Sequence, residues 1–215
     1  MSGLPVTLGN PKPERADAAR NRKQLLATAR QMLFESGPDH LTMDALAERS
    51  GLGKGTVFRR FGTRAGIFQA LLDESETDLQ QHLLSGPPPV GPGAEPLLRL
   101  IAYGRERVRW LIANRDVARF ALDGRQPVPG TGQTPVSLTH IRMLLRQMNL
   151  AGLNTDLLAI QLTAALDGPL LLYVSNDTLT TNATIETQLS DAWQTLVERV
   201  CGPGAQSGKT PFVAG

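Results

Sequence analysis

Residues 42–61, Thr-Met-Asp-Ala-Leu-Ala-Glu-Arg-Ser-Gly-Leu-Gly-Lys-Gly-Thr-Val-Phe-Arg-Arg-Phe, gather hydroxyl and cationic side chains just after a glycine hinge. The chemistry on offer is non-covalent. Lysine and arginine neutralise phosphate, and with threonine they can hydrogen-bond to phosphate oxygens or base edges. The spacing predicts two short helices. The first runs from an N-cap at Thr42 to Arg49 with Met43, Leu46 and Ala47 inward. Ser50-Gly51-Leu52 forms the turn. Gly51 supplies a positive φ, the small Ala47 lets the second helix come close, and Val57 packs back against it. The second helix, Lys54 to Arg60, then leaves Lys54, Thr56, Arg59 and Arg60 facing outward, the layout of a DNA-reading helix-turn-helix.

No comparable grouping points to catalysis. Ser50 to Thr56 resembles a phosphate-binding loop only superficially: Glu48 stands where its first glycine belongs, Gly55 follows the lysine where Ser or Thr is needed, and no strand precedes it. There is no Gly-x-Ser-x-Gly elbow, and His40, His82 and His140 share no metal-binding spacing. The sequence therefore implies no enzyme, metal or cofactor.

The elements that must position the motif are also legible. Residues 1–14 hold Gly and Pro without periodicity and read as a disordered arm. A helix from about Asp17 to Ser36 follows, with Leu25, Ala29, Met32, Leu33 and Phe34 on its inner stripe, and Gly37-Pro38 stops it. After the motif, Thr63 caps a helix running from Arg64 to about Leu84 that presents Ile67, Phe68, Leu71 and Leu72 inward. Residues 86–93, rich in Pro and Gly, form a surface loop. Helical patterns recur over about 94–113, 115–124, 135–151, 155–174 and 184–201, and nothing reads as a strand.

With its flanks, the motif resembles the N-terminal domain of TetR-family transcriptional regulators over roughly residues 20–75. Ala29 with Leu33-Phe34, Gly37-Pro38, Thr42-Met43 with Leu46-Ala47, Gly51 through Phe61, and Arg64 with Ile67-Phe68 match that family's pattern. Gly53 departs from the usual Ser, Phe58 from Tyr and Arg60 from His. Phe58 has no hydroxyl to give a phosphate, whereas Arg60 adds charge. The resemblance implies a DNA-binding face of Thr42, Lys54, Gly55, Thr56, Phe58, Arg59, Arg60 and Arg64. Lys54 and Thr56 would meet base edges, and Thr42, Arg59, Arg60 and Arg64 would meet phosphates.

The fold class implied is all-α with about nine helices in total: an arm (1–14), a three-helix helix-turn-helix domain (15–75), a larger helical effector-binding and dimerisation domain (76–201) and a flexible tail (202–215). In the second domain Tyr103, Arg105, Trp110, Phe120, His140, Met143 and Asp167 are candidate walls and polar groups for a small-molecule effector. Leu166, Leu170, Leu189, Trp193 and Leu196, on the last two apolar helices, are candidate homodimer contacts. The function implied is a sequence-specific transcriptional regulator, a repressor that an effector releases from a double-stranded operator. A helical scaffold whose motif is structural, and a ligand-independent architectural DNA binder, are the alternatives.

Composition agrees. Residues 1–64 hold 11 Lys and Arg against 6 Asp and Glu, and the remainder 11 against 14, so a net +5 at the motif end and −3 elsewhere sum to +2. The excess of positive charge sits where a polyanion would dock. A single Cys201 excludes an intrachain disulfide, and no apolar run approaches the ~20 residues of a membrane span, so the expected compartment is the cytoplasm, with no membrane partner.

Overall fold

In the computed structural model, residues 13–121, 136–173 and 182–202 are described, and every regular element among them is helical. The chain divides into two compact units, Met1–Leu71 and Leu72–Gly215. Residues 1–12 of the expected arm and the tail beyond residue 202 fall outside the described residues, as do residues 122–135 and 174–181; residues 13 and 14, expected in the arm, are helical.

The first unit contains α1 (Pro13–Ser36), a single 3-10 turn (Pro38–His40), α2 (Met43–Ser50), α3 (Lys54–Phe61) and the first turns of α4 (Arg64–Ser85). α1 begins earlier than the Asp17 expected, with Pro13 at its first position, where a missing N–H costs nothing. Its core stripe is Leu25, Leu26, Ala29 and Met32, packed with Leu41, Leu46, Val57, Ile67 and Phe68 in the same unit, all buried. Phe34, expected on that stripe, is instead 92% exposed. At 100° per residue it lies about 200° round the helix from Met32, on the side away from that stripe.

α2 starts where Thr42 Oγ1 accepts a hydrogen bond from Ala45 N at 3.1 Å. It ends at Gly51, in the left-handed region at φ 69° and ψ 12°. Gln24 Nε2 donates to Ser50 O at 2.8 Å, so α1 is tied to the turn itself. α4 is capped by Thr63, whose Oγ1 accepts from Gly66 N at 3.1 Å.

The second unit contains the rest of α4 with α5 (Pro96–Ala113), α6 (Arg115–Ala121), α7 (Val136–Met148), α8 (Thr155–Tyr173) and α9 (Asn182–Cys201). Its core joins Leu79 and Leu83 of α4 to Leu100, Tyr103 and Val108 of α5, Ile141, Leu144 and Leu145 of α7, Ala159, Leu162 and Leu166 of α8, and Trp193, Val197 and Cys201 of α9. Cys201 is a packing residue, and burial pushes its thiol up to about 11. α5 packs most extensively on α9, and one contact sets their separation. The Trp193 indole occupies the space where residue 104 would bear a side chain: a Cβ there would lie 1.9 Å from Trp193 Nε1. That nitrogen donates to Leu100 O at 3.1 Å.

Mid-helix Gly→Ala ordinarily stabilises by about 0.5–1 kcal/mol. At Gly104 the sign should reverse. Gly104→Ala is expected to destabilise the second unit by roughly 1–3 kcal/mol through overpacking against the indole. Urea unfolding followed by tryptophan fluorescence checks this, and a stabilised variant would mean that the helices can separate freely.

Candidate functional site

α3 buries Val57 and Phe61 and leaves Lys54, Gly55, Phe58, Arg59 and Arg60 exposed, with Thr56 half-buried beside them. The split follows from sequence, since only Val57 and Phe61, four residues apart, share the inward face. Each cation has a local partner. Lys54 Nζ lies 2.9 Å from Asp44 Oδ1, with both side chains about two-thirds exposed. Arg59 Nη2 donates to Thr56 Oγ1 at 3.3 Å, and Arg60 Nη2 donates to Ala18 O of α1 at 3.0 Å. Exposed contacts of this kind contribute little to stability, so a phosphate can exchange for them. A Cβ at Gly55 would meet nothing within 4 Å, so the backbone there is open to close approach. Phe58 is 51% exposed and offers an apolar surface where a hydroxyl would be more usual.

Arg64 has a different occupation. Its Nε donates to Leu41 O at 2.7 Å and its Nη2 to Pro38 O at 2.5 Å, while its guanidinium lies 5.2 Å from the centre of the Phe68 ring. The side chain therefore satisfies carbonyls at the 3-10 turn and the approach to α2, fastening the start of α4 to them. Thr42 likewise spends its hydroxyl oxygen as the α2 cap, though the residue is exposed.

In the second unit, α5 presents Arg99, Tyr103, Arg107 and Trp110 at intervals of four, four and three residues, one face of a helix. The cation at its centre is Arg107, which sequence reasoning passed over for Arg105. Arg107 Nη1 donates to Glu76 Oε2 at 2.6 Å, its Nη2 lies 3.5 Å from Asp167 Oδ1, and its guanidinium sits 4.5 Å from the centre of the Trp110 ring. Only 12% of its side chain is exposed. Burial opposes its charge, but Glu76, Tyr103 and Asp167 together raise its proton affinity. Burial raises the Asp167 carboxyl, against the pull of Arg107. Trp110 Nε1 donates to Ser75 Oγ at 2.8 Å. A helical wheel centred on Tyr103 would have selected Arg107, because Arg105 and Arg109 fall on the other side.

Arg105 faces α9, where Nη2 lies 2.5 Å from Asp191 Oδ1 and 2.8 Å from Gln194 Oε1. Tyr103 is buried, its hydroxyl engaged by the Ser137 side chain, and burial pushes it up to about 12. Its ring centre is 5.0 Å from that of His140, whose imidazole burial and the Arg99 charge push down to about 4. Met143 is 39% exposed and Phe120 lies half-buried on α6, so neither joins this stripe. Of the candidate pairing residues, Leu166 and Trp193 are in the core of their own unit, Leu189 packs against it, and Leu196 is 37% exposed. The Leu170 side chain lies outside the described residues. The outer side of α8 instead exposes Leu157 and Ile160. No described helix is long and apolar enough to cross a membrane.

The fold and the α3 face define a helical helix-turn-helix DNA-binding protein. Residues 25–71 match the family described as bacterial regulatory proteins, tetR family. Over this N-terminal domain the chain is similar to the TetR family of transcriptional regulators. Solved structures share its fold. One from Mesorhizobium loti MAFF303099, assigned to the TetR-family transcriptional regulators, is 17% identical with a TM-score of 0.59, covering 85% of this chain and 97% of its own. TetR from Acinetobacter baumannii AYE is 17% identical with a TM-score of 0.56, over 82% of this chain and 96% of its own. No curated protein sequence matches the chain.

Two outcomes follow. Arg64→Met should destabilise the first unit by about 1.5–3 kcal/mol, the range for hydrogen bonds from a charged donor; proteolysis within α1 to α3 under native conditions reads this without DNA. His140 binds a proton more weakly folded, at about 4, than its ordinary 6.5. The unfolded chain therefore takes up that proton first, and stability should fall as pH drops from about 6.5 to about 4. Burial of Asp167 works in the opposite direction, so the comparison is between wild type and His140→Gln, whose unfolding midpoints should differ in pH slope across that window.

Proposed function

We propose that the protein is a dimeric repressor that an effector releases from its operator. The observation that carries this reading is the α3 face: Lys54, Thr56, Arg59 and Arg60 project from a short helix whose opposite side is anchored by Val57 and Phe61. Lys54 and Thr56 are assigned to base edges. Arg59, Arg60 and Thr42 are assigned to phosphates, with Gly55 and Phe58 against the sugar-phosphate wall. Arg64 holds the α2 approach in place, and any phosphate contact from it is secondary to that role.

Dimerisation would set two such helices about one turn of DNA, roughly 34 Å, apart and so occlude a promoter. The exposed Leu157 and Ile160 of α8, with Leu196 of α9, support pairing through these helices, since side chains of this size gain by leaving water. An effector would occupy the second unit near the Tyr103, Trp110, His140 and Asp167 groups. α4 contributes residues to both units, so a ligand that favours one arrangement of Glu76 acts on the same helix that begins at Arg64.

Binding of the purified protein to the DNA flanking its own coding region, against a scrambled duplex at two salt concentrations, tests the reading. Preference for the native fragment that persists at higher salt is expected. Equal, salt-labile binding to both would replace the repressor with an architectural binder, and no binding at low salt would leave a scaffold.

Arg59→Ala should weaken binding to every sequence and reduce the log K against log salt slope by about one. Thr56→Ala should change the order of preferred sequences, and uniform weakening would withdraw its base-edge assignment. Asp44→Asn, which releases Lys54 and removes a negative charge from the face, should tighten binding to any duplex.

A further inference from the structure

At the start of the α5 stripe, opposite α7, lies a buried cation without a counter-ion among the described residues. Arg99 is 9% exposed and His140 8%. Arg99 Nε and His140 Nε2 are both buried with no hydrogen-bond partner, and no carboxylate pairs with Arg99 among the described residues. The two groups feel each other, since the Arg99 charge helps to hold His140 neutral. Among the described residues Tyr103, also on α5, lies with its ring against the imidazole and is itself neutral. Ser137, buried one turn before His140, engages the Tyr103 hydroxyl, and Leu100, Ile141 and Leu144 are fully buried on the same two helices.

A guanidinium Nε–H buried without an acceptor loses its hydration there and leaves a donor unmatched, an arrangement seldom kept without use. Arg107, two turns further along the same face, shows the ordinary solution, with Glu76 and Asp167 against it.

We infer that Arg99 and His140 form the anchoring site for the carboxylate of an organic-acid effector, with the Arg99 Nε–H and the His140 Nε2–H donating to its two oxygens. A planar monoanion suits the site for two reasons. Guanidinium presents parallel N–H groups that match a carboxylate. One negative charge cancels the one buried positive charge, whereas a dianion would leave a net charge in the core. The inference rests on reading the second unit as an effector domain and supplies that effector's chemical class.

The test uses acetate, the smallest probe with the required head group, added to the full-length protein at constant ionic strength. It is followed by the imidazole NMR signals, assigned to His140 by their loss in His140→Gln. Acetate should shift the His140 signals saturably and move its titration upward from about 4, because an anion favours the imidazolium. Acetamide, equal in shape but uncharged, should leave them in place. Arg99→Leu should weaken the acetate response by at least about tenfold. Without acetate the variant should melt no lower than wild type, since it removes an unbalanced buried charge.

If Arg99→Leu fails to fold, Arg99→Gln serves, and acetate should raise the melting temperature of wild type but not of this variant. An unsaturable or absent His140 shift, or an equal response in the Arg99 variants, would overturn the site. A stronger response to inorganic phosphate than to acetate would overturn the monoanion class. None of these measurements involves DNA. A negative result here leaves the regulator reading standing, and failure to bind any promoter fragment leaves the anion site standing.

Discussion

The second unit depends on how closely α9 approaches α5. An indole cannot lie against a helix backbone unless the residue beneath it lacks a side chain, and Gly104 meets that condition for Trp193. The hydrogen bond from the indole to Leu100 O, one turn earlier, fixes the rotation of α5 as well as its distance. Once Leu100 and Gly104 face α9, the other faces are determined. Arg105 and Arg109 flank the contact and meet Asp191 and Glu186 of α9, while Arg107 is carried toward Glu76 of α4 and Asp167 of α8. A helix-to-helix contact thus decides which of three alternating arginines is buried.

That choice sorts charges by energy. The pairs of Arg105 and Arg109 lie at the surface, where water screens them and they contribute little. Arg107 is mostly buried, so its two carboxylates are needed to offset its lost hydration. Arg99 is buried as well, yet its Nε has no hydrogen-bond partner among the described residues, and its charge acts on a neutral imidazole. Along one stripe the same residue type is balanced at one end and unbalanced at the other.

The first unit is governed more locally. Thr42 caps α2, Gly51 ends it in a left-handed conformation, and Thr63 caps α4, each within a few residues of the group it serves. Its two longer ties are Gln24 to Ser50 O, and Arg64 to the carbonyls of Pro38 and Leu41. They hold the turn from both sides, so the outward face of α3 is presented by a framework rather than by a lone hairpin of helices. Arg64 illustrates how a cation that a motif suggests for phosphate can be taken up by main-chain carbonyls of its own domain.

The all-helical class, the helix-turn-helix with its caps and turn, and the division of α3 into buried and exposed faces are all legible in the residues. Each depends on interactions within four residues or on a 3.6-residue period. The same period, counted from Met32, puts Phe34 about 200° away on the outer side of α1, where it is exposed. Tertiary structure alone decided that Arg107 is the arginine paired in the core, that Arg64 fastens a turn, that Trp193 is spent within its own unit and that the Arg99 charge acts on His140. Their partners lie between 23 and 93 positions away along the chain, in Leu41 for Arg64 and Leu100 for Trp193. Local pattern states which face of a helix is apolar, but the partner that satisfies a buried charge or donor is chosen by how helices distant in sequence come to pack.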